Sequence, residues 1–283
     1  MWPYIVSLSV VQGLTEFLPI SSSGHLALLE LLWGVELPGL LFEVLVHLGT
    51  LIAVVWVFRA RVAALLRAPL ARGARGKREG KEKEEGKEEE NLRLLWLIAV
   101  GTAVTVALAF PLRGWIEQAF GSALAVGLAL LATGGLLFSA ERRARCSPGG
   151  RSLGELTVWD ALLVGAMQGL ATFPGISRSG FTIGMGLLLG LKREAAAEFS
   201  FILAIPAILG AALLKVGEAS AQPGVYKGLI GPYLAGTALA MLTGVFAIRW
   251  LLRALQRGRL ALFAYYCWGV GLLAVGGALA GWL

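Results

Sequence analysis

The chain has 283 residues, 57% of them hydrophobic and 15% charged, with a formal net charge of +7 and a mean hydropathy of +0.74. A water-soluble domain carries about 25% charged residues, so this composition excludes an ordinary soluble enzyme. The Lys/Arg excess lies in loops between apolar runs, which is a topology signal and not a nucleic-acid surface, and Cys146 and Cys267 form neither a disulfide framework nor a metal cluster.

The N-terminus shows no basic leader or cleavage site. Residues 4–17 are apolar but too short to cross a bilayer, and Pro19 with three serines stops them. Residues 24–33 form a second short apolar piece. Two half-length helices around a polar break predict a re-entrant hairpin, whose irregular backbone needs protein or a watery cavity to satisfy it at membrane depth. The competing reading is one bent span over residues 5–32. Residues 40–58 are long enough to span and carry Glu43 and His47, four apart and so on one helix face. Residues 71–91, nearly all charge and Gly, are expected to be a flexible charged cytoplasmic loop. Spans follow at 92–110 and 120–140 around a short turn at 111–118, then a polar linker turning at Pro148, Gly149 and Gly150. Residues 159–173 and 182–191 are a second pair of half helices. Spans at 195–214 (kinked by Pro206), 229–252 and 262–283 complete the chain, with Tyr265, Tyr266 and Trp268 as an interfacial belt.

The prediction is an all-α polytopic membrane protein: six transmembrane helices plus two re-entrant helical hairpins. Residues 59–93 hold eleven Lys/Arg, 142–151 four, 192–193 two and 249–259 four, all on one side of this arrangement. The other side receives Arg113, Lys215 and Lys227. The positive side is cytoplasmic, so both termini face outside and the two hairpins enter from opposite sides. Residues 1–145 and 157–283 then form an inverted-topology repeat within a single membrane domain, 1–283, with the broken segments near the midplane.

The two hairpin turns are copies. QGLTEFLPISSSGH at 12–25 and QGLATFPGISRSG at 168–180 share eight of thirteen paired positions, and Arg178 stands where the first copy has Ser22. Ionisable side chains within a membrane are functional hypotheses by default. They are Glu16, Glu43, Arg178 and Glu198, with His25 and His47. For Glu43, His47 and Glu198 an ordinary structural role weighs as heavily as a functional one. Arg178 presents a planar fork suited to phosphate, among the hydroxyls of Ser177, Ser179 and Thr182. The first turn offers Ser21, Ser22 and Ser23 in the same style, and a helix starting after each turn would aim N–H groups at an anion. His25, three residues after Ser22, is placed to activate a hydroxyl or water; Glu16, with Gln12 one turn earlier, is placed to hold a divalent cation. A lipid-linked phosphate fits such a site, its tail in hydrocarbon and its head in the pocket.

These residues resemble the motifs of the undecaprenyl-diphosphatase family, the integral-membrane bacitracin-resistance proteins. The likeness runs through Gln12 and Glu16 to Phe17, Leu18, Pro19, Ser22 and His25, through FEVLVHLG at 42–49, PGISRSGFT at 174–182 and AAAEFSFILAIP at 195–206, and covers essentially the whole chain. The resemblance implies removal of the terminal phosphate from undecaprenyl diphosphate, leaving the monophosphate lipid carrier used for peptidoglycan and other envelope polymers. It implies a site in the bacterial cytoplasmic (inner) membrane, open to the outer face and using a divalent cation, Mg²⁺ or Ca²⁺. By motif position it makes Glu16 the metal or acid–base carboxylate beside Gln12, His25 a base or nucleophile, and Arg178 the diphosphate clamp. Ser22 is then a candidate nucleophile, with Ser177 and Thr182 as hydroxyl contacts. The chain departs from the pattern at Gln12, where many members have Glu, and at His47, where many have Gln. The partners expected are the polyprenyl diphosphate lipid and membrane lipids, with no nucleic acid; a homodimer is compatible with the reading. The attacking group, the preferred metal and the lipid chain length stay open. The alternatives are a transporter or flippase of undecaprenyl phosphate, which inverted repeats also suit, and a lipid-binding protein that sequesters its ligand.

Overall fold

The computed structural model describes residues 2–33, 39–73, 82–146, 149–220 and 229–283. The first hairpin is α1 (Trp2–Thr15) and α2 (Ser22–Trp33). It is followed by α3 (Leu40–Val57), α4 (Arg59–Gly73), α5 (Glu82–Phe120) and α6 (Ala123–Cys146). A 3₁₀ turn (Leu153–Glu155) leads into the second hairpin, α7 (Val158–Leu170) and α8 (Arg178–Leu188). The chain ends with α9 (Arg193–Ser220), α10 (Ile230–Gln256) and α11 (Leu260–Leu279). Among the described residues five helices, α5, α6, α9, α10 and α11, are long and apolar enough to cross a membrane, and α3 with α4 would make a sixth if that bent pair were one span. The class is all-α and multi-pass, as the apolar runs require.

Several boundaries differ from the expectation, each for a local reason. The chain bends by 83° after α3 and continues as α4, where a loop was expected. Leu65 and Ala68, three apart, bury one face of α4 while Leu66 and Leu70 stay exposed, so the segment is an amphipathic helix laid against the bundle. Arg61 of α4 pairs with Glu198 of α9 at 2.9 Å, which gives Glu198 a structural partner. The charged segment 71–91 is corrected at both ends: residues 71–73 finish α4, and α5 begins at Glu82 instead of at residue 92. Glu and Lys are strong helix formers and extend a helix that the apolar span has already nucleated. The remainder, 74–81, lies outside the described residues. The turn expected at 111–118 is helix as well: α5 passes through Pro111, and Arg113 pairs with Glu117 one turn further on at 2.9 Å. α6 runs to Cys146 and not 140, with Arg143 and Arg145 in the last turn where cations complement the helix dipole. α9 continues through Pro206. Pro148 and residues 221–228, with Lys227, lie outside the described residues.

Packing crosses between the halves of the chain. α1 lies on α10 and α7 on α5; α3 contacts α9 and α10, and α6 contacts α8 and α11. Lipid supplies no hydrophobic drive between helices, so close backbone approach and internal hydrogen bonds must hold them. Glycine provides that approach at two equivalent places. A Cβ on Gly13 of α1 would fall 2.5 Å from the Ala240 carbonyl of α10, and one on Gly165 of α7 would fall 2.5 Å from the Gly101 carbonyl of α5. Phe17, Phe199, Phe201, Ile183 and Leu203 fill the interior, while Trp56, Phe110, Trp115, Leu214 and Trp282 face outward, as a bilayer-facing surface demands. At the basic end, Arg151 forms a bidentate pair with Asp160 at 2.7 Å per bond, and Glu141 of α6 holds Arg145 at 2.7 Å and Arg193 of α9 at 2.8 Å.

Gly165→Ala is expected to lower the thermal midpoint of the detergent-purified protein, through the roughly 1–3 kcal/mol that overpacking costs. Gly135→Ala on α6, with open space around its Cβ, should leave the midpoint unchanged or slightly higher. Equal midpoints for the two variants would contradict the close α5–α7 contact.

Candidate active site

The duplicated sequence becomes a duplicated geometry. Ser21 Oγ accepts from the Gly24 N–H at 3.1 Å, and Ser177 Oγ accepts from the Gly180 N–H at 3.1 Å. These are N-caps: a serine oxygen satisfies one of the free donors that open a helix. Each capping hydroxyl also meets the serine two residues on, Ser21–Ser23 at 3.4 Å and Ser177–Ser179 at 3.3 Å. The two turns abut. A Cβ on Gly24 would lie 2.9 Å from the Gly175 Cα, and Ser179 Oγ donates to the Leu18 carbonyl at 3.2 Å. Gly175 has φ 92°, which glycine adopts freely, whereas the first turn places Ser21 at φ 71°, a strained conformation for a residue with a side chain. The long helices hold the turns crosswise: Thr133 of α6 accepts from the Ser177 N–H at 3.1 Å, and Cys267 Sγ of α11 donates to the Pro19 carbonyl at 3.5 Å.

Glu16, just beyond α1, is the junction. Its Oε1 receives Arg178 Nη2 at 2.6 Å, and its Oε2 accepts from Gln12 Nε2 at 2.9 Å and from Ser22 Oγ at 2.6 Å. Arg178 opens α8 and Ser22 opens α2, so one buried carboxylate ties together α1 and the starts of both second arms. Charge-assisted bonds of this length are strong. Ser22 has its proton aimed at a carboxylate within general-base reach, and Arg178 keeps further guanidinium donors beyond the one given to Glu16.

A cavity of about 220 Å³ lies against this junction. Glu16, Ser21, Ser22, Ser23, Ser177 and Arg178 line it, beside the apolar side chains of Ile176, Ala207, Ile208 and Ala211. Four predicted site residues, Gln12, His25, Ser179 and Thr182, fall outside its wall. His25 Nδ1 is 2.7 Å from the Ser21 carbonyl and must therefore carry its proton there; Nε2 then accepts from Tyr266 Oη at 2.7 Å, and the two rings stack 5.6 Å apart. The spacing from Ser22 to His25 suited a base, but a carbonyl of its own turn and a tyrosine of α11 draw the ring away. Ser179 points to the Leu18 carbonyl. Thr182 Oγ1 bonds back to the Arg178 carbonyl at 2.7 Å and meets Ser200 of α9 at 2.5 Å. These two hydroxyls, expected as substrate contacts, are bonded within the protein around the start of α8.

The cavity also takes in Glu43 and His47 of α3 and Lys215 of α9. Lys215 Nζ is paired with Glu43 Oε1, and His47 Nδ1 bonds to the Glu43 carbonyl at 2.8 Å. Glu43 and His47 were flagged as intramembrane groups. Lys215 was counted only as a loop charge, although Ile208, Ala211, Ala212 and Lys215 fall on one stripe of α9, a helical pattern the sequence already contained.

A cation at Glu16 would share the carboxylate with donors already present, while Gln12 Oε1 is buried without a hydrogen-bond partner and offers one free oxygen. Both carboxylate oxygens already receive hydrogen-bond donors, one of them a guanidinium, and Gln12 turns its N–H₂ toward Glu16. Among the described residues no group of three or more His, Cys, Asp or Glu is arranged to hold a metal.

A family model described as bacitracin resistance protein BacA matches residues 5–273. A protein named undecaprenyl-diphosphatase from Carboxydothermus hydrogenoformans is 40% identical over 266 residues, 94% of this chain and 93% of its own length. One of the same name from Desulfatibacillum aliphaticivorans is 42% identical over 272 residues, covering 95% and 96%. A third, from Methanosphaera stadtmanae, is 39% identical over 272 residues, covering 95% of each chain.

Glu16→Ala would leave the Arg178 guanidinium without its carboxylate in a protein interior, a change that costs roughly 3–5 kcal/mol for a buried pair. The double variant Glu16→Ala/Arg178→Met is expected to regain part of the lost thermal stability. A double variant less stable than Glu16→Ala alone would show that the pair does not bear on the fold.

Proposed function

The chain belongs to the family described as bacitracin resistance protein BacA, and on that premise we propose that it hydrolyses undecaprenyl diphosphate to undecaprenyl phosphate and inorganic phosphate, recycling a lipid carrier for cell-envelope synthesis. The observation that carries the proposal is the single carboxylate of Glu16 holding the Ser22 hydroxyl and the Arg178 guanidinium at one cavity wall. In this reading Arg178 uses its remaining donors to hold the terminal phosphate and to balance the charge that spreads over its oxygens in the transition state. Ser22 Oγ attacks the terminal phosphorus and its proton passes to Glu16. The bond from phosphorus to the bridging oxygen breaks, and the lipid monophosphate leaves. Water then attacks the phosphoserine, Glu16 returns the proton to Ser22, and dihydrogen phosphate departs. Ser22 is favoured over His25 as the attacking group because its hydroxyl lies 2.6 Å from the carboxylate, whereas both ring nitrogens of His25 are engaged outside the cavity. His25 then serves as a positioning residue that fixes the strained Ser21 carbonyl. A divalent cation, Mg²⁺ or Ca²⁺, would be held by Glu16 with the unpartnered Gln12 Oε1 and would offset phosphate charge there.

The same proposal places the cavity toward the outer face of the cytoplasmic membrane. Its α9 wall begins at Ala207, fourteen residues and so about 21 Å along the helix from Arg193 at the basic end. The six-span, two-hairpin inverted repeat is supported by the exchange of partners: α1 on α10 answers α7 on α5, and α11 holds the first turn as α6 holds the second. Such a repeat also suits a flippase of undecaprenyl phosphate, which would need no chemistry at Ser22.

Detergent-solubilised protein, with no second compartment, is expected to release phosphate from undecaprenyl diphosphate. Ser22→Ala, Glu16→Gln and Arg178→Ala should each lower kcat/KM by at least about 100-fold. Rapid quench should trap phosphate on Ser22. Phosphate trapped on His25, or wild-type turnover by Ser22→Ala, would overturn the assignment, and binding without any phosphate release would favour the flippase.

A further inference from the structure

The cavity holds a second cation–carboxylate pair that this chemistry does not use. Lys215 of α9 reaches Glu43 of α3, and both line the same space as Glu16 and Arg178. The side chains of Glu16 and Arg178 are 7% and 18% exposed, those of Glu43 and Lys215 31% and 38%. The inner pair is therefore the enclosed one, and the outer pair stands where the cavity meets its surroundings. Leu213 and Leu214, immediately before Lys215, are exposed apolar residues on the outside of α9. The outer cation thus sits beside bilayer-facing surface, the place that the head of a membrane-held lipid reaches first.

We propose that Lys215 is a second phosphate-binding residue, which takes the phosphate that stays on the lipid while Arg178 holds the one that is removed. The proposal rests on the phosphatase reading above and extends it to how the substrate is told from its product. The charges of Glu16, Arg178, Glu43 and Lys215 sum to zero, and among the described residues Lys215 is the one Lys or Arg besides Arg178 that lines the cavity and could meet a second phosphate. Lys215 is suited to that role. A partly solvated ion pair is held weakly, and the flexible lysine stem carries three rotatable donors that can turn from a carboxylate to a phosphate. The pair is not needed to join the two helices. α3 and α9 already meet through Leu51, Ala204 and Ile208, which are buried against each other beside Leu48 and Ile205. Glu43 acts as the resting partner that keeps Lys215 at the cavity until a diphosphate displaces it.

The test compares Lys215→Met, which keeps the stem and loses the charge, with Lys215→Arg, which restores a charge. Lys215→Met is expected to raise the KM for a polyprenyl diphosphate about tenfold with kcat within about threefold of wild type, and Lys215→Arg should recover most of that loss. Inhibition by inorganic diphosphate should weaken in Lys215→Met by a similar factor, while inhibition by inorganic phosphate, which Arg178 alone would hold, should not change. Lys192→Met, on the basic face away from the cavity, should match wild type throughout. A wild-type KM in Lys215→Met, or equal weakening toward inorganic phosphate and diphosphate, would overturn the inference while leaving the phosphatase reading intact. If the wild-type protein released no phosphate, that reading would fail instead. Direct binding of inorganic diphosphate to wild type and Lys215→Met would then decide the role of Lys215 alone, equal affinities counting against it.

Discussion

The contact between Glu16 and Arg178 joins the two serine turns through residues 162 apart in the chain. A charge at this depth is costly in an apolar protein unless it is paired and its remaining lone pairs and donors are met. Glu16 meets that condition with three donors: Arg178, Gln12 and Ser22. Each must arrive from a different place, and the architecture around the site can be read as what brings them there. Gln12 comes from one turn earlier on α1, Ser22 from the far side of the first turn, and Arg178 from the start of α8.

Bringing the two turns to within contact distance is a backbone problem before it is a side-chain one. Gly24 against Gly175, and serine caps that close each turn on itself, let the chains meet without crowding. The half helices α1 and α7 are too short to be held by their own hydrophobic length, and each is packed on a long helix from the other half of the chain through a glycine contact. The polar irregular backbone of the turns is thereby sealed inside protein, the condition under which a membrane tolerates it. The strain at Ser21 falls in the turn that supplies Glu16 and Ser22, in keeping with the way strained backbone gathers at working sites.

Much of this was legible in the sequence, for identifiable reasons. Duplication made the turns visible, the single departure at Arg178 singled out the cation, and short apolar runs broken by Pro and Ser announced half helices. Glu16, Ser22 and Arg178 meet because they belong to that duplicated pattern. What escaped depended on rotation and on distant partners. His25 lies at the expected spacing from Ser22, yet its ring direction is set by Tyr266, 241 residues away. Ser179 and Thr182 carry the right chemistry but face the protein, since the helix phase of α8 and the carbonyl of Leu18 decide their direction. α4 and the first turns of α5 were hidden by their charge, which suggested a loop although Glu and Lys are good helix formers. Lys215 was hidden by its place near the end of a span, where a basic residue is ordinarily read for topology alone.

In the proposed reaction Glu16 acts with Ser22 as one unit, the carboxylate taking the proton of the hydroxyl that attacks phosphorus. A double-mutant cycle on kcat/KM for phosphate release from a polyprenyl diphosphate tests this most directly, using Glu16→Gln, Ser22→Ala and the pair together. Residues that act as a unit are strongly non-additive, so the double variant is predicted to lose no more activity than the worse single variant. Losses that multiply, as for two independent groups, would contradict it.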